Sequence, residues 1–243
     1  MYHPFHHAAR TPDKPACVMA RTGEVVTYRQ LEERSNQGAQ LFRRLGLKRG
    51  DTIALLMDNS ARYFEICFAA QRSGLFFTAM STRLSVEEAE YIIRDCGAKV
   101  LIVSASLAEQ AGELMRRNPE VRFRFAVGGA LPGHESWDAA AQAQPAARIT
   151  DESAGRDMLY SSGTTGRPKG VKCELLEEAI DAPSTLTNVA AKLYGMGPDT
   201  VYLSPAPLYH AAPPNTPEQF AEVVKNDAAR WAEAVRVSGA KVD

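Results

Sequence analysis

The sequence predicts an α/β protein with a doubly wound, mainly parallel sheet. Three observations predict it. Segments of helical period alternate with short apolar runs from Thr27 to Val127, the links between them are short, and glycines close most of the helical segments. Such alternation favours parallel strands joined by helical crossovers, with ligands received beyond the carboxyl ends of the strands.

The elements follow in order. Thr27 and Gln30 form a capping box, after which Leu31, Ser35, Gly38, Phe42 and Leu45 share one helical face. Gly46 supplies the stop, and the turn Lys48-Arg49-Gly50-Asp51 leads into the apolar strand Thr52–Met57. Ser60 caps a helix closing at Gly74, and Leu75–Met80 is the next strand. Ser85 and Glu88 make a second capping box, opening a helix that ends near Gly97. Lys99–Val103 is a strand, Ser106–Arg117 a helix and Val121–Val127 a strand. Residues 128–148 change character, and the alanine-rich stretch Asp138–Ala147 predicts a short helix and a linker. Asp157–Ser161 is then a strand entering a polar, glycine-rich loop.

Composition narrows the function. The chain has 243 residues, 45% hydrophobic and 23% charged, with a net charge of -1. No basic excess marks a nucleic-acid partner. Cys17, Cys67, Cys96 and Cys173 lie far apart, without zinc spacing, and Cys67 falls in an apolar helical run where a buried structural thiol is expected. His3, His6 and His7 read as part of a solvated, frayed terminus rather than a metal cluster. No segment has the length of an export signal or of a membrane span, so a cytoplasmic protein is expected.

The chemistry is concentrated in Tyr160-Ser161-Ser162-Gly163-Thr164-Thr165-Gly166-Arg167-Pro168-Lys169-Gly170. Gly163 and Gly166 allow backbone N–H groups to turn inward, and Ser161, Ser162, Thr164 and Thr165 supply hydroxyls for phosphate oxygens or a magnesium ion. Thr164 is the candidate metal contact. Lys169 adds a cation for the β or γ phosphate. The order is not that of a Walker A loop, because the lysine follows the second glycine by three positions and no hydroxyl residue succeeds it.

On these residues the chain resembles the adenylate-forming superfamily, and within it the acyl-CoA synthetases. Thr27-Tyr28-Arg29-Gln30-Leu31, Arg49-Gly50-Asp51, Ala70-Gln71-Arg72-Ser73-Gly74, Arg83-Leu84-Ser85 and Ser204-Pro205-Ala206-Pro207-Leu208-Tyr209-His210 resemble further family elements, over roughly residues 1–212. The resemblance implies activation of a carboxylic acid with ATP and Mg2+ to an acyl-adenylate and pyrophosphate, then transfer to coenzyme A. It implies that Ser161, Ser162, Gly163, Thr164, Thr165, Gly166 and Lys169 hold the triphosphate. Tyr209 and His210 would line the acid pocket, with His210 and Lys169 in catalytic roles.

A family member is about twice this length. The adenine-binding segment, magnesium-binding glutamate, ribose-binding aspartate and catalytic lysine expected after the Pro207–His210 element are not in the sequence. The expectation is therefore a partial adenylation domain over 1–212, truncated and not competent alone. After Ala212, the segment from Thr216 to Asp243 carries Phe220, Val223, Val224, Trp231 and Val235 on one stripe, closed by Gly239. This amphipathic helix resembles the C-terminal helix of periplasmic solute-binding proteins of tripartite tricarboxylate transporters, which implies a junction of two unrelated genes near Ala212–Asn215. Two further readings stand beside the ligase fragment: a non-catalytic nucleotide-binding or partner-docking module, and a solute-binding protein supported by the tail alone. Apolar strands lacking partners, such as Val201–Ser204, predict self-association.

Overall fold

A computed structural model describes residues 3–161, 167–182, 192, 195, 197, 200–201 and 207–209. The described chain opens with helix α1 (Pro4–Arg10) and the antiparallel strands β1 (Pro15–Val18) and β2 (Val25–Thr27). These three elements precede the predicted ones, and they correct the reading of a frayed terminus. Pro4 sits at the first helical turn, where its missing N–H costs nothing. His3 is 3% exposed, and its ring Nδ1 accepts from the Phe5 N–H.

Helix α2 (Tyr28–Arg44) starts at Thr27 with the full capping box: Thr27 accepts from the Gln30 amide, and the Gln30 side chain accepts from the Thr27 amide. The strand β3 (Thr52–Leu56) and helix α3 (Ala61–Arg72) follow, although Ser60 makes no side-chain capping bond to that helix. Then come β4 (Phe76–Ala79), α4 (Val86–Asp95) with its Ser85–Glu88 capping box, and β5 (Ala98–Ser104). The helix expected from Ser106 begins as a 3-10 turn, Ala105–Leu107, and becomes α5 only at Ala108–Arg117. After β6 (Phe123–Val127) a two-residue strand, β7 (Glu135–Ser136), and helix α6 (Trp137–Gln142) complete this part.

The single strand expected at Asp157–Ser161 is two. β8 (Arg156–Asp157) lies parallel to β4, whereas β9 (Leu159–Ser161) pairs antiparallel with β10 (Lys169–Val171). Residues 201 and 207–209 lie in no strand; the rest of the predicted Val201–Ser204 strand and the helix from Thr216 are outside the described residues.

The six-stranded sheet runs β7-β6-β5-β3-β4-β8, every neighbouring pair parallel. Alternate residues of the central strands serve opposite faces, as the pleat requires. Ile53, Leu55, Val100 and Ile102 pack with Phe42, Tyr63, Ile66 and Trp137 of α2, α3 and α6. Ala54, Leu56, Leu101 and Val103 pack with Ile92, Ile93, Ala111 and Leu114 of α4 and α5. Each of the larger side chains contributes about 1.5–3 kcal/mol on burial. The chain therefore leaves β3 through α3 on one face and leaves β5 through α5 on the other. These two strands are neighbours, so the winding reverses between them, and a crevice opens at their carboxyl ends.

Charge is also buried. Arg72 is fully buried and donates to both carboxylate oxygens of Glu32, at 2.6 and 3.1 Å, with Glu152 at 3.4 Å. Three segments distant in sequence are thereby joined.

Candidate functional site

The glycine-rich loop leaves from the carboxyl side of the sheet. Met158 donates its N–H to Phe77 O at 3.0 Å, carrying the β8 direction forward into β9 beyond the end of β4. The loop is the connection of the β9–β10 hairpin, with Ser161 and Lys169 facing one another across the ladder. Lys169 is exposed at the mouth of the loop. Thus the predicted strand and its lysine come together, and Lys169 itself starts β10. Ser162, Gly163, Thr164, Thr165 and Gly166, and the side chain of Ser161, lie outside the described residues, so their placement around a phosphate or metal is not described.

Gly170 has a steric reason. It faces Tyr160 in the ladder, and a Cβ there would come within 2.7 Å of the Tyr160 ring and 2.9 Å of its hydroxyl. The ring lies across β10 and points its O–H at α4, donating to the Asp95 carboxylate at 2.5 Å. Burial, then the bond to Asp95, raises the Tyr160 pKa above its ordinary value. Arg167, at the exit of the loop, places its guanidinium 5.4 Å from the centre of the Tyr91 ring of the same helix. Beside it is a recess of about 630 Å³ lined by Glu87, Glu90, Arg94 and Pro168 among others.

A second group occupies the crevice between β3 and β5. The Asp58 amide donates to Ser104 Oγ at 2.9 Å, and the Ser106 hydroxyl donates to the Asp58 carboxylate. Asn59 Oδ1 accepts from the Leu208 amide at 2.8 Å, and Leu208 packs on the core behind it. Leu208 and the half-buried Tyr209 therefore return to the reversal point of the sheet. His210 lies outside the described residues. Sequence reasoning missed Asn59; its signal is a polar pair, Asp58-Asn59, set between an apolar strand and a helix start.

His6 Nε2 meets Asp181 at 2.8 Å, and His7 stacks on Tyr28. Among the described residues no group of three His, Cys, Asp or Glu side chains converges to hold a metal ion. The four cysteines are free, and burial pushes the Cys67 thiol well above its usual range, as befits a structural thiol. Among the described residues no helix is long and apolar enough to cross a membrane.

Residues 4–214 match the family described as AMP-binding enzyme. The chain belongs to that family. As an AMP-binding enzyme it is 31% identical over 209 residues to the long-chain-fatty-acid–CoA ligase FadD13 of Mycobacterium tuberculosis, covering 84% of this chain and 40% of the relative. It is 30% identical over 165 residues to the fatty acid–[acyl-carrier-protein] ligase ScoC of Streptomyces coeruleorubidus, covering 68% and 31%. Among solved structures it resembles apo MbtA of Mycobacterium smegmatis, with a TM-score of 0.70 at 26% identity, over 86% of this chain and 39% of that one. It also resembles an anthranilate CoA ligase, AuaEII, in complex with anthranoyl-AMP, with a TM-score of 0.64 at 28% identity, over 69% and 33%. The parallel sheet is that of the N-terminal subdomain of the adenylate-forming ligases. The chain spans 31% to 40% of the length of these two curated relatives.

Proposed function

We propose that this AMP-binding enzyme is the triphosphate-gripping part of an AMP-forming acid–thiol ligase, and that a polypeptide of these 243 residues alone does not turn over. The observation that carries the reading is the hairpin stem, which sets Lys169 opposite Ser161 beyond the carboxyl end of the sheet. In the family reaction a carboxylate oxygen bonds to the α phosphorus of ATP, the bond to the bridging oxygen breaks, and pyrophosphate departs with the added charge. Loop N–H groups from Ser162 to Gly166, the hydroxyls of Ser161, Ser162, Thr164 and Thr165, and the Lys169 ammonium would offset that charge without reorganising. Tyr209 and His210 would line the pocket for the acid; the bond of the preceding Leu208 to Asn59 supports a pocket near the sheet reversal. The thiol of coenzyme A then takes the acyl group and AMP leaves. Thr164 is the residue that would contact a magnesium ion, which would supply further positive charge at the departing pyrophosphate.

Magnitudes support weak binding. Three charge-assisted hydrogen bonds contribute about 1.5–3 kcal/mol each, against an association cost of at least ~4 kcal/mol. The surplus of at most about 5 kcal/mol corresponds to a dissociation constant of about 0.2 mM or weaker. Pyrophosphate exchange over a panel of carboxylic acids tests the reading. Lack of exchange together with weak, Lys169-dependent ATP binding is expected, whereas robust acid-dependent exchange refutes the inactivity.

The same reading divides the chain into a partial adenylation domain, 1–212, and an unrelated tail, 213–243. The matched span ending at residue 214 supports that division. Resequencing codons 210–218 in independent clones tests the junction. We further assign the protein to the cytoplasm, checked by fractionation, and expect self-association through the exposed β10, checked by sizing; a monomeric peak counts against it.

A further inference from the structure

Helix α4 touches both stems of the loop. On the entry side, Tyr160 donates to Asp95, and on the exit side Arg167 lies over Tyr91. Tyr91 and Asp95 are one helical turn apart, so they share a face, and the Tyr91 hydroxyl lies 3.5 Å from the other Asp95 oxygen. A guanidinium within about 6 Å of a tyrosine centroid is attracted to its face. Glu87, Glu88, Glu90 and Arg94 line the recess beside this contact, with Glu87 and Glu90 also paired to Arg117. All three residues of β10 are exposed and its ladder is short; apart from α4, Tyr160 packs on the core cluster and Lys172 lies over the Phe76 ring.

We propose that α4 anchors the phosphate loop, with Tyr91, Asp95, Tyr160 and Arg167 as positioning residues that fix the separation of its two stems. The proposal rests on the phosphate-gripping reading for its purpose, not for its geometry. With both stems held, less ordering free energy would be lost when a polyphosphate binds between them.

The test is hydrogen exchange of the nucleotide-free, full 243-residue chain, read on peptides spanning residues 161–171. Tyr91→Ala, Asp95→Asn and Arg167→Ala are each expected to speed exchange of the loop amides about fivefold. Tyr91→Phe, which keeps the ring, is expected to match the parent chain. The double variant Tyr91→Ala/Arg167→Ala is expected to be no faster than either single one, because both remove the same contact. A urea midpoint within error of the parent confirms that each variant is folded. Unchanged exchange in the three variants overturns the anchor, and so does a Tyr91→Phe variant as fast as Tyr91→Ala. ATP binding is measured separately. A parent chain that binds no ATP removes the phosphate reading while the exchange result still decides the anchor.

Discussion

Strand β3 and strand β10 show two ways of using the same backbone. All five residues of β3 are buried between two helical layers, and all three of β10 are exposed. The first is held by many apolar contacts that no single substitution abolishes. The second is held by a short ladder and by two side-chain contacts to α4. The chemistry predicted for this chain sits on the second, because a loop that must admit a ligand cannot be packed like a core.

The contrast can be broken first at the buried charges. Arg72→Ala leaves Glu32 without its counter-ion, while Glu152 keeps Arg148, and about 3–5 kcal/mol of stability should be lost in urea unfolding. Next comes Gly155, where a Cβ would stand 2.4 Å from Leu75 O and 2.7 Å from Leu75 N. Backbone cannot move aside cheaply, so Gly155→Ala should cost about 1–3 kcal/mol and push β8 from β4. Both changes act on the platform.

A smaller effect depends on pH. Burial first, then Arg72 and Arg148, pushes the His3 pKa down from 6.5 to about 3. Between those values the unfolded chain binds the proton that the folded chain refuses. Stability therefore falls as pH is lowered through this window, by at most about 1.4 kcal/mol per unit from this group. Urea midpoints at several pH values check it, and His3→Asn should flatten the dependence.

The smallest expected effect is at Gly170. Gly170→Ala displaces the Tyr160 ring, yet it should change the unfolding free energy in urea by less than about 0.5 kcal/mol while weakening ATP binding. A loss as large as that of Gly155→Ala would mean that hairpin and platform unfold as one unit, and the contrast would be gone.

Much of the platform was readable in the sequence, because its rules are local. The capping boxes at Thr27 and Ser85 stand three residues from their partners, and β3 is a short apolar run between turns. The helix from Pro4 and the hairpin at Pro15 and Val25 were not readable, since their apolar residues are few and they are held by packing on α2 and α3. Arg72 shows a different limit: composition places arginine at the surface, and only the distant carboxylates of Glu32 and Glu152 make its burial tolerable. At the site, the polyphosphate grip proposed above is read from the residue types of 161–169. That α4 braces both stems is a contact between residues 65 apart in sequence, and no periodicity carries it.

The parallel sheet begins and ends in two-residue strands, β7 on one side and β8 on the other. So short a margin offers a neighbouring molecule few free N–H and C=O groups to pair with. Growth of the sheet from copy to copy is thereby blunted at both borders. Among the described residues the outer side of β10 is, like the borders of the β1–β2 ribbon, an edge outside that sheet, and an assembly that started at β10 would lie beside the loop.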